Sequence, residues 1–298
     1  MHLLRFVRLG QLNWWGKICA LLLLCATTAI VSPAQNILTV LASFNGTNGI
    51  YPEYVSLVQG FDGNFYGTTS LGGTNCPAPA SCCGTVFKIT AAGALTTLYS
   101  FCSQTNSEGY CADGSSPDAG LVQATDGNLY GTTQYGGANN DGTVFQITSG
   151  GTLTTLYSFC AQTGCTDGSQ PVAGLLQGTN GSFYGATATG GANGEGGTIF
   201  KITAAGATTL YSFCSRTNSE GYCADGSSPD AGLVEATNGN LYGTTQYGGA
   251  NNDGTVFQIT PGGTLTTLYS FCAQPVRAAQ RDAVTKVTNL RSVRQLSW

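Results

Sequence analysis

The sequence predicts an all-β fold: a β-propeller-like array of four four-stranded repeat units, each about 57 residues long. Three observations carry this prediction. The composition is rich in glycine and poor in charge, one set of motifs recurs along the chain, and the predicted strands are apolar on both faces. A small closed ring and an incomplete ring both satisfy these observations, and the sequence does not distinguish them.

Glycine accounts for 43 of the 298 residues, whereas only 9% are charged. Average proteins contain about 7% glycine, so this composition is typical of short strands joined by tight turns. Aromatic residues make up 10% of the chain. Because aromatic residues are plentiful and the net charge is low, the composition argues against intrinsic disorder.

The repeat is marked by the motif Leu-Tyr-Ser-Phe, which begins at residues 98, 156, 210 and 268, with a weaker copy, Leu-Ala-Ser-Phe, at 41–44. The motifs Tyr-Gly-Thr-Thr and Thr-Val-Phe follow in the same order in each unit, with the variants Tyr-Gly-Ala-Thr and Thr-Ile-Phe in the third, and Asp-Gly, Asn-Gly and Gly-Gly pairs lie between the predicted strands. Such pairs supply the positive φ angles of tight hairpins. We therefore predict four strands per unit, with units at about 37–97, 98–155, 156–209 and 210–271.

The strands predict packing on both faces of each sheet. In Thr143–Thr148, Phe145 and Ile147 share one face, whereas Val144 lies on the other. A sheet with two apolar faces must be covered on both sides. Propeller blades meet this need by packing against their neighbours. A stacked β-solenoid would meet it too, but its rungs are usually much shorter than this repeat.

The motifs carry a resemblance to a known family. The run Asp126–Thr133, followed by Gly136-Gly137, Gly142–Phe145 and Leu153–Phe159, resembles the GloVer tandem repeat of bacterial "choice-of-anchor" surface proteins. The resemblance covers about 37–274. It implies an exported, often surface-attached protein with propeller-like repeats and no known enzymatic activity or cofactor. The C-terminus departs from that pattern, since family members usually end in a variable anchoring segment.

The N-terminus predicts an export signal over residues 1–34. Three basic residues precede a 14-residue apolar run at 18–31, and Ser32-Pro33-Ala34 provides small residues for cleavage after Ala34. A retained membrane anchor is the alternative, but the run is shorter than the roughly 20 residues a span needs. We therefore expect a secreted or outer-surface protein without a transmembrane segment in the mature chain.

The C-terminal segment 275–298 is predicted to be a basic, non-repeat and disordered tail. Residues 98–162 and 210–274 differ at only 4 of 65 positions, and the identity stops at Gln274. We interpret the tail as the product of a frameshift, a recombination or a gene-model error. A basic arm that docks on an acidic cell surface and a merely solvated tail are the alternatives.

Cysteine positions predict disulfides, because thiols of an exported chain become oxidised. Each of three loops that follow a Leu-Tyr-Ser-Phe strand carries two cysteines, which predicts the pairs Cys102–Cys111, Cys160–Cys165 and Cys214–Cys223. The sequence leaves open the pairing of Cys76, Cys82, Cys83 and Cys272. A cysteine-only zinc site is the alternative, but no repeated Cys-x-x-Cys supports it.

No residue pattern in the sequence predicts catalytic chemistry. The only histidine is His2, inside the predicted signal, which excludes histidine-based triads and ordinary histidine zinc sites from the mature chain. The stretch 35–274 has three basic residues against 14 acidic ones, a formal charge of −11. An acidic body disfavours nucleic acid as a partner.

Carboxylates offer the remaining options. Paired carboxylates would suit a glycosidase, and the Asp-Gly-Ser-Ser-Pro-Asp loops could offer oxygens to calcium, although they lack the ligand spacing of a strong site. These aspartates recur with the repeat, which favours a structural role in turns. The candidate calcium ligands are Asp113, Asp118, Asp225 and Asp230, and the other repeat-bound carboxylates are Asp141, Asp167 and Asp253.

The sequence favours binding over catalysis. Tyr135 and Tyr247 sit in Gly-Gly loops, where an exposed ring could stack on a sugar or anchor a protein partner, with packing as the alternative. We therefore predict a non-catalytic surface module that binds or displays, its partner being an unidentified glycan or protein. The alternatives are a secreted carbohydrate-active enzyme that uses Asp or Glu and a purely structural surface protein.

Overall fold

The computed structural model describes residues 38–52, 56–76 and 82–272. The chain divides into two units, Met1–Val40 and Leu41–Trp298, and all the strands described below lie in the second. The predicted signal at 1–34 and the predicted tail at 275–298 lie outside the described residues. Among the helices that are described, none is long and apolar enough to cross a membrane.

Within the described ranges, sixteen strands form four antiparallel sheets, and each sheet is a meander of four consecutive strands. We call these sheets blades 1 to 4. Blade 1 comprises β1 (Val58–Gln59), β2 (Phe65–Leu71), β3 (Cys82–Ile89) and β4 (Leu95–Ser100). Blade 2 comprises β5 (Val122–Gln123), β6 (Leu129–Thr133), β7 (Thr143–Ile147) and β8 (Leu153–Ser158). Blade 3 comprises β9 (Leu176–Gln177), β10 (Phe183–Thr187), β11 (Thr198–Thr203) and β12 (Gly206–Ser212). Blade 4 comprises β13 (Val234–Glu235), β14 (Leu241–Thr245), β15 (Thr255–Ile259) and β16 (Leu265–Ser270).

The predicted all-β, propeller-like class is confirmed. The only helix in the described ranges is a single 3-10 turn at Thr163–Cys165. The blades, however, begin at a different strand from the units predicted from the sequence. Each blade begins with a two-residue strand and ends on the Leu-Tyr-Ser strand, so a unit boundary at 98 falls inside β4. A period in a sequence measures the length of the unit and carries no information on which strand comes first.

Hydrophobic cores lie between neighbouring blades, which explains the two apolar faces of each strand. One buried cluster joins blades 1 and 2, a second joins blades 2 and 3, and a third joins blades 3 and 4. Tyr130 of blade 2, for example, stacks on Phe183 of blade 3 with 4.1 Å between ring centroids. Each blade therefore depends on its neighbours for the burial that stabilises it.

A bulge occurs at the same place in every blade. The pairing of the third and fourth strands shifts register just before a phenylalanine, so that Leu156 of β8 lies opposite no single partner on β7. A bulge of this kind increases the local twist of the two strands. The phenylalanines that follow the shift, one per blade, are Phe87, Phe145, Phe200 and Phe257.

Candidate functional site: the disulfide face

One end of blades 2 to 4 carries the long loops, and we call it the disulfide face. It consists of the connections that precede each blade and the loops between the second and third strands. Isolated β-bridges join the two kinds of loop, Ser115 with Tyr135, Ser169 with Thr189 and Ser227 with Tyr247. The disulfide face comprises residues 101–121 and 134–142, 159–175 and 188–197, and 213–233 and 246–254.

Disulfides close the connections between blades. They join the three pairs expected from the loop positions, Cys102–Cys111, Cys160–Cys165 and Cys214–Cys223. A fourth disulfide, Cys76–Cys83, lies in blade 1 and resolves a pairing that the sequence left open. Cys272 is exposed and free, and the side chain of Cys82 lies outside the described part of the molecule.

Hydrogen bonds hold the two kinds of loop against each other. The amide of Gly137 donates to the Cys111 carbonyl over 2.8 Å, and the Asn106 side chain donates to the Ala138 carbonyl over 3.1 Å. Asn139 reaches the next connection, where its side chain donates to the Cys160 carbonyl over 2.9 Å. Cross-linked and hydrogen-bonded loops of this kind lose little further conformational entropy when they bind a partner.

A buried aspartate anchors the base of each connection. The Tyr99 hydroxyl donates to Asp113 Oδ2 over 2.7 Å, and the Ser103 amide donates to the same oxygen over 2.9 Å. Asp167 and Asp225 repeat this arrangement with Tyr157 and Tyr211. These three carboxylates therefore accept hydrogen bonds from their own loops, which is a structural role.

The four candidate calcium ligands do not form a cluster of three or more metal-binding side chains. The one such cluster among the described residues is Asp141, Cys160 and Cys165, and its two sulfurs form a disulfide. Asp113, Asp118 and Asp225 each keep one buried carboxylate oxygen, Oδ1, without a hydrogen-bond partner. One or two such oxygens in a loop fall far short of the six to eight that calcium takes.

Asp118 and Asp230 lie on the blade-to-blade junctions instead. Burial raises the pKa of Asp118 above its usual range, and a hydrogen bond with Ser70 of blade 1 opposes that rise. Burial also raises the pKa of Asp230. The blade 3 residue that corresponds to Ser70 is Ala188, which has no hydroxyl to offer.

Exposed tyrosines distinguish the disulfide face. Tyr247 is exposed, whereas its counterpart Tyr135 is half-buried. Sequence reasoning missed Tyr110 and Tyr222, which are also exposed, each next to a disulfide cysteine. The sequence signal for these two tyrosines was the repeated turn Asn-Ser-Glu-Gly-Tyr. In that turn the Tyr110 amide donates a hydrogen bond to the Asn106 side-chain oxygen over 2.9 Å.

A polar groove runs beside this face between the fourth strands of blades 2 and 3, β8 and β12. Its volume is about 460 Å³. Its wall combines hydroxyl, amide and carboxylate groups with the rings of Tyr157 and Phe200 and the methyl groups of Ala192 and Ala207. The polar lining residues are Gln162, Thr166, Asp167, Thr208, Thr209 and Ser212. A groove with this mixture of groups suits a hydroxyl-rich ligand.

Tyrosine ionisation should destabilise the protein at alkaline pH. Burial, the largest cause in each case, raises the pKa of Tyr66, Tyr99, Tyr130 and Tyr211 from 10.0 to about 12. In the unfolded chain these phenols ionise near their ordinary value, so the stability they confer is complete below pH 10 and is lost as the pH rises toward 12. Thermal unfolding at increasing pH, read with phenolate absorbance, checks this. A melting temperature that does not change from pH 10 to 12 would contradict the prediction.

Fold and loops together define the class of protein. Four blades with one loop-bearing end make this a propeller-like repeat protein, and comparison of the sequence with known families gives the family. The profile of the Gloeobacter/Verrucomicrobia repeat matches residues 27–165 and 107–291. The chain belongs to this repeat family, as the motif resemblance predicted. No curated protein matches the sequence.

Several solved structures are similar at low identity. An endo-arabinase from Bacteroides thetaiotaomicron is 13% identical, with 75% of this chain and 83% of that chain covered and a TM-score of 0.40. A putative gluconolactonase is 16% identical, with 71% and 61% covered and a TM-score of 0.39. An arabinoxylan arabinofuranohydrolase from Bacillus subtilis is 12% identical, with 77% and 55% covered and a TM-score of 0.39. This chain thus spans less than two thirds of the length of the gluconolactonase.

Proposed function

We propose that this protein is a non-catalytic binding module whose disulfide face recognises a glycan at the bacterial cell surface. The observation that carries the proposal is the set of exposed tyrosines on cross-linked loops. Tyr110, Tyr222 and Tyr247 present phenolic rings from loops held by disulfides and by backbone hydrogen bonds. An aromatic face packs against the apolar face of a sugar ring, while its hydroxyl donates to sugar oxygens.

The repeat carboxylates support binding over catalysis. A glycosidase needs two carboxyl groups on opposite sides of one glycosidic bond. Asp113, Asp167 and Asp225 are buried, and each accepts hydrogen bonds from the tyrosine and the loop of its own connection. Asp141 accepts a hydrogen bond from the Ser169 hydroxyl over 2.6 Å. Carboxylates engaged in this way hold loops in place.

An extracellular location is compatible with the four disulfides and with the repeat family. Disulfides form and persist outside the cytosol, where thiols are not kept reduced. Export through the predicted N-terminal signal and attachment to the outer surface are parts of this proposal. Because the protein is acidic, we expect it to bind a glycan at that surface through hydrogen bonding and stacking rather than through positive charge.

The test is a binding screen of the full chain on insoluble polysaccharides and glycan arrays, with and without calcium. We expect retention without release of soluble sugar. The double variant Tyr222→Ala, Tyr247→Ala should weaken retention by roughly tenfold or more, because truncation of a central aromatic contact typically costs more than 1 kcal/mol.

The matched control is Thr189→Ala. Thr189 occupies in blade 3 the position of Tyr247 and has no ring to lose, so this variant should bind as the unmodified chain does. Release of soluble sugar that one Asp→Asn substitution abolishes would instead establish a carbohydrate-active enzyme. Equal retention of the tyrosine double variant and the control would place the binding surface elsewhere.

A further inference from the structure

One set of contacts joins every pair of neighbouring blades. We call the fourth strand of each blade its outer strand. The phenylalanine that directly follows an outer strand packs edge-on against the phenylalanine after the bulge in the next blade, for example Phe159 on Phe200 at 5.0 Å between ring centroids. A backbone amide of each blade also donates to a side chain of the next. These bonds run from Phe61 to Gln123, from Thr125 to Gln177 and from Thr179 to Glu235, over 2.8 to 3.0 Å.

We call the face that a blade turns toward the next blade its leading surface. In blade 4 this surface, which includes Val234 and Phe271, has no neighbouring blade among the described residues. Because residues 98–162 and 210–274 are almost identical, blade 2 shows how these side chains behave when they are covered. Phe159 is 0% exposed, whereas its counterpart Phe271 is 42% exposed. Val122 packs against the core between blades 2 and 3, whereas its counterpart Val234 is 43% exposed. Among the described residues, nothing covers this face of blade 4.

Blade 1 presents the matching receiving surface, the face that each later blade turns toward the blade before it, and residues 41–44 cover it only in part. Leu57 is 52% exposed, whereas its counterpart Leu121 is 8% exposed in the core between blades 1 and 2. An apolar hollow of about 400 Å³ opens beside it, between residues 41–44 and the first sheet. The residues that line it are Leu41, Ala42, Phe44, Pro52, Leu57, Phe65, Phe87, Ile89 and Leu95.

A proline and a glycine make the match more specific. At each internal junction a proline packs so closely on a glycine that a Cβ there would lie 2.4 to 2.7 Å from the proline ring. The three pairs are Gly84 with Pro117, Gly142 with Pro171 and Gly197 with Pro229. Pro52 is the corresponding proline of blade 1 and is exposed, and Gly254 is the corresponding glycine of blade 4, with no proline among its near neighbours.

Residues 41–44 partly occupy the receiving surface. Phe44 packs on Phe87 at 5.0 Å, as Phe159 packs on Phe200, so this segment takes the place of a preceding outer strand. It forms no strand, however, and Leu41 is exposed. Its counterpart in blade 4, the Leu-Tyr-Ser-Phe end of β16, is part of a paired strand and brings the larger Tyr269.

We propose that the leading face of blade 4 docks onto the receiving face of blade 1 in a second copy of this chain, displacing residues 41–44 of that copy. The occupant is a second copy because one chain carries both halves of a junction that it already forms three times internally. Two chains joined at both ends contain eight blades, the upper end of the usual range for propellers. We therefore expect a closed head-to-tail dimer, which goes beyond the glycan-binding function and does not depend on it.

The experiment measures the mass of the full chain in solution by sedimentation and light scattering, at micromolar concentrations. The unmodified chain should be dimeric. Leu57→Arg on blade 1 and Val234→Arg on blade 4 should each raise the fraction of monomer, since each places a charge in an apolar junction. Mixing the two variants should give a one-to-one dimer, because one unmodified face of each kind remains.

Gln104→Arg is the control for added charge, since Arg216 already occupies the equivalent position in the other copy of this sequence. It should remain dimeric, and circular dichroism of each variant checks that it is folded. A monomeric unmodified chain overturns the proposal, as does a dimer that both arginine variants preserve.

Salt dependence separates this interface from association through the basic C-terminal segment. Two acidic bodies that meet through apolar faces repel less as salt screens their charge, so the dimer should become tighter when salt is added. Dissociation by salt would indicate attraction between the basic segment and the acidic body, and would contradict the proposed junction.

Discussion

Phe159→Ala should lower the free energy of unfolding by about 3–5 kcal/mol, the usual cost of removing a fully buried phenylalanine. Phe159 is 0% exposed and packs against Phe200 of the next blade. Its contact with Tyr157 lies within its own blade, at 5.2 Å between ring centroids. Most of the loss should therefore come from the junction between blades 2 and 3.

Phe271→Ala is the matched comparison. Phe271 makes the same contact with Tyr269 inside its own blade, also at 5.2 Å, but the described structure offers it no following blade. At protein concentrations below those at which the proposed dimer forms, its loss should cost about 1 kcal/mol or less, as expected for a partly exposed side chain. Denaturant unfolding of both variants, with hydrogen exchange to locate the change, measures the difference. Equal costs would mean that the junction contributes little to stability.

Removing a loop disulfide should have the second largest effect. The double variant Cys102→Ser, Cys111→Ser should lose about 2.5–3 kcal/mol, because the open loop regains conformational entropy in the unfolded chain. The two cysteines are nine residues apart, whereas Cys160 and Cys165 are five apart. The shorter loop should therefore lose slightly less, about 2 kcal/mol, when its cysteines are replaced.

Cys272→Ser provides the control, because Cys272 is exposed and free. This substitution should change the free energy of unfolding by less than about 0.5 kcal/mol. Thermal and denaturant unfolding under non-reducing conditions checks all three variants. If the loop variants unfold at the same denaturant concentration as Cys272→Ser, the disulfides do not stabilise the blades, and their role would be confined to shaping the disulfide face.

The candidate site was only partly predictable. Tyr135 and Tyr247 were found because they stand next to Gly-Gly pairs, yet near-identical sequences leave one half-buried and the other exposed. Blade 3 follows the blade that carries Tyr135, whereas no described blade follows the one that carries Tyr247, so the two tyrosines differ in surroundings that lie outside the local sequence. Tyr110 and Tyr222 were not predicted, because nothing in the local sequence distinguishes an exposed tyrosine ring from one that packs against its own loop.

The Asp-Gly-Ser aspartates show the opposite case. Their recurrence in the repeat predicted a structural role, which agrees with the hydrogen bonds that Asp113 accepts from Tyr99 and Ser103. No spacing rule could have located those donors, which lie 10 and 14 residues away along the chain. A turn of the connection, closed by the disulfide between Cys102 and Cys111, brings them together.

By itself the sequence determined the class of fold, the length and number of the repeats and the family, because periodic apolar residues and turn-forming glycines are local signals that survive without a structure. Only the tertiary structure decided where each blade begins, which cysteine pairs with Cys76, and which faces of blades 1 and 4 have no neighbouring blade among the described residues. Those properties depend on contacts between residues far apart in the chain, and identical segments acquire different surroundings according to what packs beside them.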